Sequence, residues 1–228
     1  MKSILTGVLL LTLAACSQTN SGDAGTQTDT APTATTASDN AQATPPASAS
    51  TEPQEKPMSA YENKIVELHT TAGQINLRFF PDIAPNHVKN FIDLSEQGFY
   101  NGTKFHRVIP GFVIQGGDPN TVSGNPATWG TGGSPKNVKA EFSPRPHKRG
   151  ILSMARSGHP DSASSQFFIC VADVQSLDNA YTVFGEVTQG MDVVDTIVNA
   201  PRLPGDRPEN PTTITKAVVR DATDAEKQ

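Results

Sequence analysis

The chain has 228 residues, of which 36% are hydrophobic and 18% charged, and its formal net charge is −5 at pH 7. This mild acidity, with no dense basic cluster, argues against a nucleic-acid binder. Once the two ends described next are set aside, the stretch from Tyr61 to Thr223 is long enough for one core of ordinary size.

Lys2 gives the chain a positive start, and Ile4 to Leu13 is an apolar run too short to cross a bilayer as a helix of about 20 residues. The run ends in Leu13-Ala14-Ala15-Cys16, small residues before a cysteine. This order resembles a bacterial lipoprotein signal, in which the cysteine is lipidated and becomes the new N-terminus. Residues 1–15 are therefore expected to be a signal peptide and Cys16 the lipidation site. The competing reading is an ordinary secretory peptide that leaves Cys16 as a spare thiol. Ser17 after the cysteine resembles the sorting pattern for the outer membrane. The expected location is the bacterial cell envelope, lipid-anchored, with the domain in the periplasm or at the cell surface.

From Ser17 to Ala60 there is no Val, Ile, Leu, Phe, Trp or Tyr. Such a stretch buries too little apolar surface to offset its ordering entropy. With Cys16 it forms a disordered tether over residues 16–60, with a reach of roughly 35 Å as a flexible coil.

The domain, residues 61–223, opens with two extended runs, Lys64–Thr70 and Gln74–Phe80, joined by Thr71-Ala72-Gly73. Period-two alternation and a glycine turn predict a hairpin. A helix follows, started by Pro85 and stopped by Gly98, with Val88, Phe91 and Ile92 as its apolar stripe. Next comes Phe105–Asp118, FHRVIPGFVIQGGD, with a strand expected over Val108–Gln115. It sets Arg107 among apolar residues, with Gln115 as the next polar side chain and Phe112 between them. A guanidinium is rarely buried without a partner, so an apolar ligand with amide groups, a peptide, suits this run. The Gly- and Pro-rich interval Pro119–Arg149 is expected to be loops, a common place for binding elements. Within it, His147-Lys148-Arg149 reads as a solvated basic loop.

Further strands are expected at Gly150–Met154, Gln166–Val171, Tyr181–Val187 and Thr213–Val219, and a second helix at Asp192–Val198. Cys170 lies in an apolar run and reads as a small buried hydrophobe; with Cys16 lipidated, no intrachain disulfide is expected. Two helices that do not alternate with strands disfavour a parallel fold. The order of elements fits a mainly β, antiparallel barrel with two capping helices.

Three blocks carry a resemblance to a known family: FHRVIPGFVIQGGD, then GILSMARSG with SSQFFIC, then LDNAYTVFGEVTQGMDVVD. The GTGG loop at 130–133 and the opening hairpin agree with it. The chain resembles the cyclophilins, peptidyl-prolyl cis–trans isomerases, over nearly all of residues 64–220. The resemblance implies a closed eight-stranded antiparallel barrel with two α-helices. It implies Arg107 as the catalytic residue and an apolar wall of Phe112, Val113, Phe168 and Leu177 around the proline ring. Gln115 matches the glutamine that holds the peptide near Arg107. Ala155, Arg156 and Ser157 match the backbone edge that pairs with substrate, Gly130, Thr131 and Gln166 line the neighbouring pocket, and Tyr181 covers the ring. Proline-containing peptides and unfolded or partly folded proteins are the implied partners of a monomeric enzyme.

Bond rotation moves no proton and breaks no σ bond, so no cofactor, metal or nucleophile is required. His106 is accordingly read as structural. His69, His87, His147 and His159 lack ligand spacing, the glycine pairs lack a phosphate-loop lysine, and no G-x-S-x-G elbow marks a hydrolase. Alternation sends Phe167 to the core and Phe168 to the cleft. Two positions depart from the family pattern. Ser176 replaces a tryptophan frequent in eukaryotic members, which implies weak cyclosporin binding. Arg156 replaces a frequent asparagine, which implies a preference for acidic residues near the proline. The rival class is a membrane-tethered peptide-binding chaperone or surface interaction protein with incidental turnover.

Overall fold

The structure, a computed structural model, describes residues 56–227. The expected signal peptide, Cys16 and the tether up to residue 55 lie outside the described residues. Met58–Tyr61, at the end of the expected tether, form one 3-10 turn that buries Tyr61. The Tyr61 hydroxyl donates to Asp93 at 2.9 Å.

Strands β1 (Lys64–Thr70) and β2 (Gly73–Phe79) form the expected antiparallel hairpin. Helix α1 (Pro85–Glu96) follows, and its N-cap residue, Ala84, has no side-chain acceptor. Glu141 supplies one from a distant part of the chain. Its carboxylate accepts from the Asn86 and His87 backbone N–H groups at 3.1 and 3.0 Å. An anion placed there satisfies orphan donors and suits the positive end of the helix dipole. This bond ties the long loop to α1. On the inner side of α1, Phe91 is the centre of an aromatic cluster. Its ring lies 5.6 Å from Phe79, 4.8 Å from Tyr100, 5.2 Å from Phe167 and 5.4 Å from Phe184.

The single strand expected over Val108–Gln115 is instead two. Strands β3 (Arg107–Ile109) and β4 (Val113–Gly116) pair antiparallel around Pro110 and Gly111. Gly111 has φ +72°, and the Phe112 N–H closes onto the Ile109 carbonyl at 3.0 Å. Proline followed by a positive-φ glycine is what a type II turn requires. The turn folds the run back on itself.

The interval expected to be loops holds one short helix, α2 (Asn120–Ser123), and a 3-10 turn at Pro126–Thr128; the rest is irregular. Then come β5 (Ile151–Met154), β6 (Phe167–Cys170), β7 (Val183–Gln189) and α3 (Met191–Val198). A small hairpin, β8 (Arg202–Leu203) with β9 (Arg207–Pro208), precedes β10 (Ile214–Asp221). β7 starts two residues later than expected and runs two residues further. The larger sheet has eight strands in the order β10-β1-β2-β7-β5-β6-β4-β3, all antiparallel. The expected full closure needs one qualification: β3 and β10 share no continuous ladder. Backbone bonds stitch that seam, from Gly102 N–H to Ile214, Ile214 N–H to Thr103 and Phe105 N–H to Thr212, at 2.7, 2.8 and 3.0 Å.

Strand periodicity divides the apolar residues between two clusters. Ile114, Leu152, Phe167, Ile169 and Phe184 join the main core around α1. Val113, Ile151, Phe168, Cys170 and Val183 join a second cluster with Leu177 and Phe80. Phe167 and Phe168 therefore part company as expected, and Cys170 is buried as a free thiol. Removing the Phe91 ring would leave a cavity among four aromatic neighbours. Phe91→Ala is expected to lower unfolding free energy by about 3–5 kcal/mol. Urea denaturation measures it, and a loss below about 1 kcal/mol would contradict this packing account.

Candidate active site

The β3–β4 turn sets Arg107 directly opposite Gln115 in the ladder. Arg107 Nη1 donates to Gln115 Oε1 at 3.2 Å. Gln115 Nε2 donates to Gln166 Oε1 at 2.9 Å. Gln166 Nε2 donates in turn to the Gly130 and Gly132 carbonyls at 3.0 and 2.7 Å. Each amide accepts on one side and donates on the other, so the bonds polarise one another in a single direction. The relay holds the guanidinium in place while using one of its five N–H donors. No carboxylate among the described residues pairs with it.

Around this relay lies a cleft with two chambers. Arg107, Phe112, Val113, Phe168, Leu177 and Tyr181 line a small one of about 140 Å³. Gln115, Ala155 and Arg156 border both this chamber and a larger one of about 600 Å³. The larger is lined by Gly130, Thr131, Ser157 and Gln166. The fold thus brings every residue expected in the cleft to one place. Ser164, which also lines the larger chamber, was missed. It stands two residues before Gln166 in SSQFFIC, and period-two alternation was the available signal. Asn137, from a loop, and Ser162, from the 3-10 turn Pro160–Ser162, line it too, with no such pattern.

The loop over the larger chamber is pinned from below. Buried Asp118 accepts from the Asn120 N–H at 2.8 Å and from the Gly130 N–H. A Cβ at Gly132 would strike the Asp118 carboxylate, and one at Gly117, where φ is +83°, would strike the Ser165 carbonyl. Those glycines let the loop and β4 approach this closely. His106 sits behind Gly130, buried, with neither ring nitrogen bonded to a described residue. Burial pushes its pKa below the ordinary histidine range, against the pull of Asp118.

Behind the small chamber the sequence reading needs correction. His147, expected in a solvated loop, is buried at 2% exposure, while Lys148 and Arg149 are exposed. Its ring stacks under Phe168, with centroids 6.0 Å apart. Its Nδ1 meets Asp178 at 3.0 Å and its Nε2 meets Ser153 Oγ at 3.1 Å. Ser153 Oγ also reaches the Thr182 carbonyl at 2.8 Å. Serine, histidine and aspartate thus come within hydrogen-bond reach, but Ser153 is fully buried and no acyl group can approach it. The group is a buckle that fixes the floor of the chamber. Tyr181 stands edge-on to Phe168 at 5.6 Å and carries the Arg156 guanidinium 4.7 Å over its ring. Arg156 also donates to the Ala180, Ser157 and Gly158 carbonyls. It is a fixed cation on the cleft rim. Ser176 lies exposed beside Leu177. Cys170, in the same cluster, has its thiol pushed up to about 12 by burial.

A family model described as "Cyclophilin type peptidyl-prolyl cis-trans isomerase/CLD" matches residues 65–219. The chain belongs to this family. Among curated relatives, a peptidyl-prolyl cis-trans isomerase of Helicobacter pylori is 44% identical over 153 residues, covering 62% of this chain and 89% of the relative. A probable peptidyl-prolyl cis-trans isomerase of Brucella abortus is 44% identical over 163 residues, covering 69% of this chain and 83% of that one. Among solved structures, the cyclophilin of Cryptosporidium parvum, crystallised in the presence of the dipeptide Ala-Pro, aligns with a TM-score of 0.63 at 32% identity. The match covers 69% of this chain and 99% of that one.

The buried histidines of this cyclophilin set its acid stability. Burial lowers the pKa of His87, His106 and His147 below 6.5, against the pull of Glu141 on His87 and of Asp178 on His147. The unfolded chain therefore takes up protons near pH 6.5 that the folded chain refuses, and stability falls as pH drops through that value. Burial pushes Glu141 up, but bonds from His87 and from two helix N–H groups outweigh it and hold the carboxyl below its usual range. That contribution is lost at lower pH, in the same direction. Unfolding free energies from urea denaturation at pH 7.5 and 5.5 are expected to differ by ~1 kcal/mol or more in favour of pH 7.5. A flat profile would contradict this assignment.

Proposed function

We propose that this isomerase turns X–Pro bonds in proteins of the bacterial cell envelope, with the Arg107 guanidinium as the group that lowers the barrier. The reading is carried by one observation: a cation on the lip of an apolar chamber, held by an amide relay, with most of its donors bonded to no described residue. Rotation about the bond must break amide resonance, a barrier of about 18–20 kcal/mol. In the planar amide the prolyl nitrogen lone pair is delocalised. In the twisted state it localises, and the nitrogen becomes pyramidal. A donor aimed at that lone pair binds the twisted state better than the planar one, and only such a difference accelerates the reaction. An acceleration of 10⁵ asks for roughly 7 kcal/mol of it.

The remaining residues serve that encounter. Phe112, Val113, Phe168 and Leu177 grip the ring, and Tyr181 covers it. Gln115 holds Arg107 and the peptide. Ala155, Arg156 and Ser157 present backbone to the substrate, and the Arg156 N–H has no partner among the described residues. Gly130, Thr131 and Gln166 receive a neighbouring residue of the client. The protein acts as a monomer, lipid-anchored through Cys16 at the outer membrane. A folding catalyst that needs no nucleotide suits a compartment without ATP.

Arg107→Ala is expected to lower kcat/KM for a proline test peptide on the order of a hundredfold, while peptide binding measured by calorimetry persists. Unchanged isomerisation would reject the catalytic assignment. For the anchor, cells fed a palmitate analogue are expected to label the wild-type protein and not Cys16→Ser. Equal labelling of both would remove the lipoprotein reading.

A further inference from the structure

The cleft does not end at its larger chamber. That chamber shares Ser134 and Asn137 with a third, of about 540 Å³, between α1 and the loop running from Ser134 to Lys139. The three chambers lie in series, each sharing wall residues with the next, and are taken together as one groove. Five cations border it: Arg107 and Arg156 at the prolyl end, and Lys89, Lys136 and Lys139 at the far end. Among the described residues the groove has one carboxylate, Asp93, which holds Lys89 at 2.7 Å and the Tyr61 hydroxyl at 2.9 Å. Lys136 and Lys139 are exposed, and their ammonium groups form no ion pair or hydrogen bond with any described residue. A cationic track thus runs through a protein whose net charge is −5.

We propose that the third chamber is a subsite for acidic residues flanking the proline of a client chain, with Lys136 and Lys139 pairing their carboxylates. The proposal rests on the isomerase reading of the first chamber. An extended segment gains about 3.3 Å per residue, so a client whose proline fills the small chamber runs on through the second into the third. Lysines without an internal partner have the most to gain from a carboxylate there. Arg156, fixed by carbonyls and the Tyr181 ring, marks the near end of the same track. The groove leaves the prolyl chamber in one direction, so acidic residues count on one side of the proline.

The test uses the full-length protein and peptides that share an Ala-Pro core. Each carries a four-residue tail of Glu or Gln, placed before the proline in one set and after it in the other. Isomerisation rate and binding by fluorescence anisotropy are read at low and high salt. In one placement the Glu tail is expected to improve both readouts over Gln by about fivefold, the yield of two modest surface pairs. High salt is expected to erase the ratio. Lys136→Glu with Lys139→Glu is expected to bring it to one or below, whereas Lys216→Glu, exposed and remote from the groove, retains it. A ratio near one in both placements overturns the proposal, as does a ratio that survives the double charge reversal. Failure to turn over the bare core peptide would instead sink the isomerase reading, and the anisotropy series would still decide the subsite.

Discussion

A single cross-strand pair organises this molecule, Arg107 against Gln115. A guanidinium near apolar side chains is tolerated when something fixes it and water or a ligand meets its remaining donors. A carboxylate would fix it more tightly, but would neutralise the charge and occupy the fork. A glutamine fixes it with one neutral bond and leaves the charge intact. The glutamine must then be held by something else, and Gln166 and the two glycine carbonyls do that. The loop carrying those carbonyls is held in turn by buried Asp118. Rigidity is passed outward from the cation, and each partner is anchored in a different part of the fold.

The sheet makes this arrangement possible by having two greasy sides. One side packs on α1 and supplies the stability. The other carries Val113, Phe168 and Val183 outward to meet Leu177 and Tyr181 from the loops. The cleft is therefore not a gap in the core. It is the unfilled end of a second, smaller core. The His147 buckle beneath Phe168 shows how that smaller core is stiffened without extra bulk: hydrogen bonds tie loop to strand behind the ring.

Much of this was legible in residue patterns. The opening hairpin, the stripe of α1 and the opposite orientations of Phe167 and Phe168 follow from local periodicity. The resemblance in three sequence blocks named the cleft residues. What escaped was set by contacts between distant positions. Pro110-Gly111 is a strong turn signal, yet the apolar residues on both sides of it read as one strand until the pairing partner is seen. His147 sits between proline and lysine, a setting that looks solvated. Only the approach of Ser153 and Asp178 makes it a core residue. The cap on α1 comes from Glu141, more than fifty positions away, and no spacing rule reaches that far.

The isolated thiol of Cys170 has a consequence for the settings in which the domain keeps its covalent form. Cys170 is buried in the cluster that holds Phe168, Val174 and Val183, and burial pushes its thiol up to about 12, away from the thiolate form that attacks disulfides. Oxidants and thiol-exchange enzymes find nothing to react with there. Reducing and oxidising surroundings alike leave the described domain without a cross-link of its own, since Cys170 is its one cysteine and is buried.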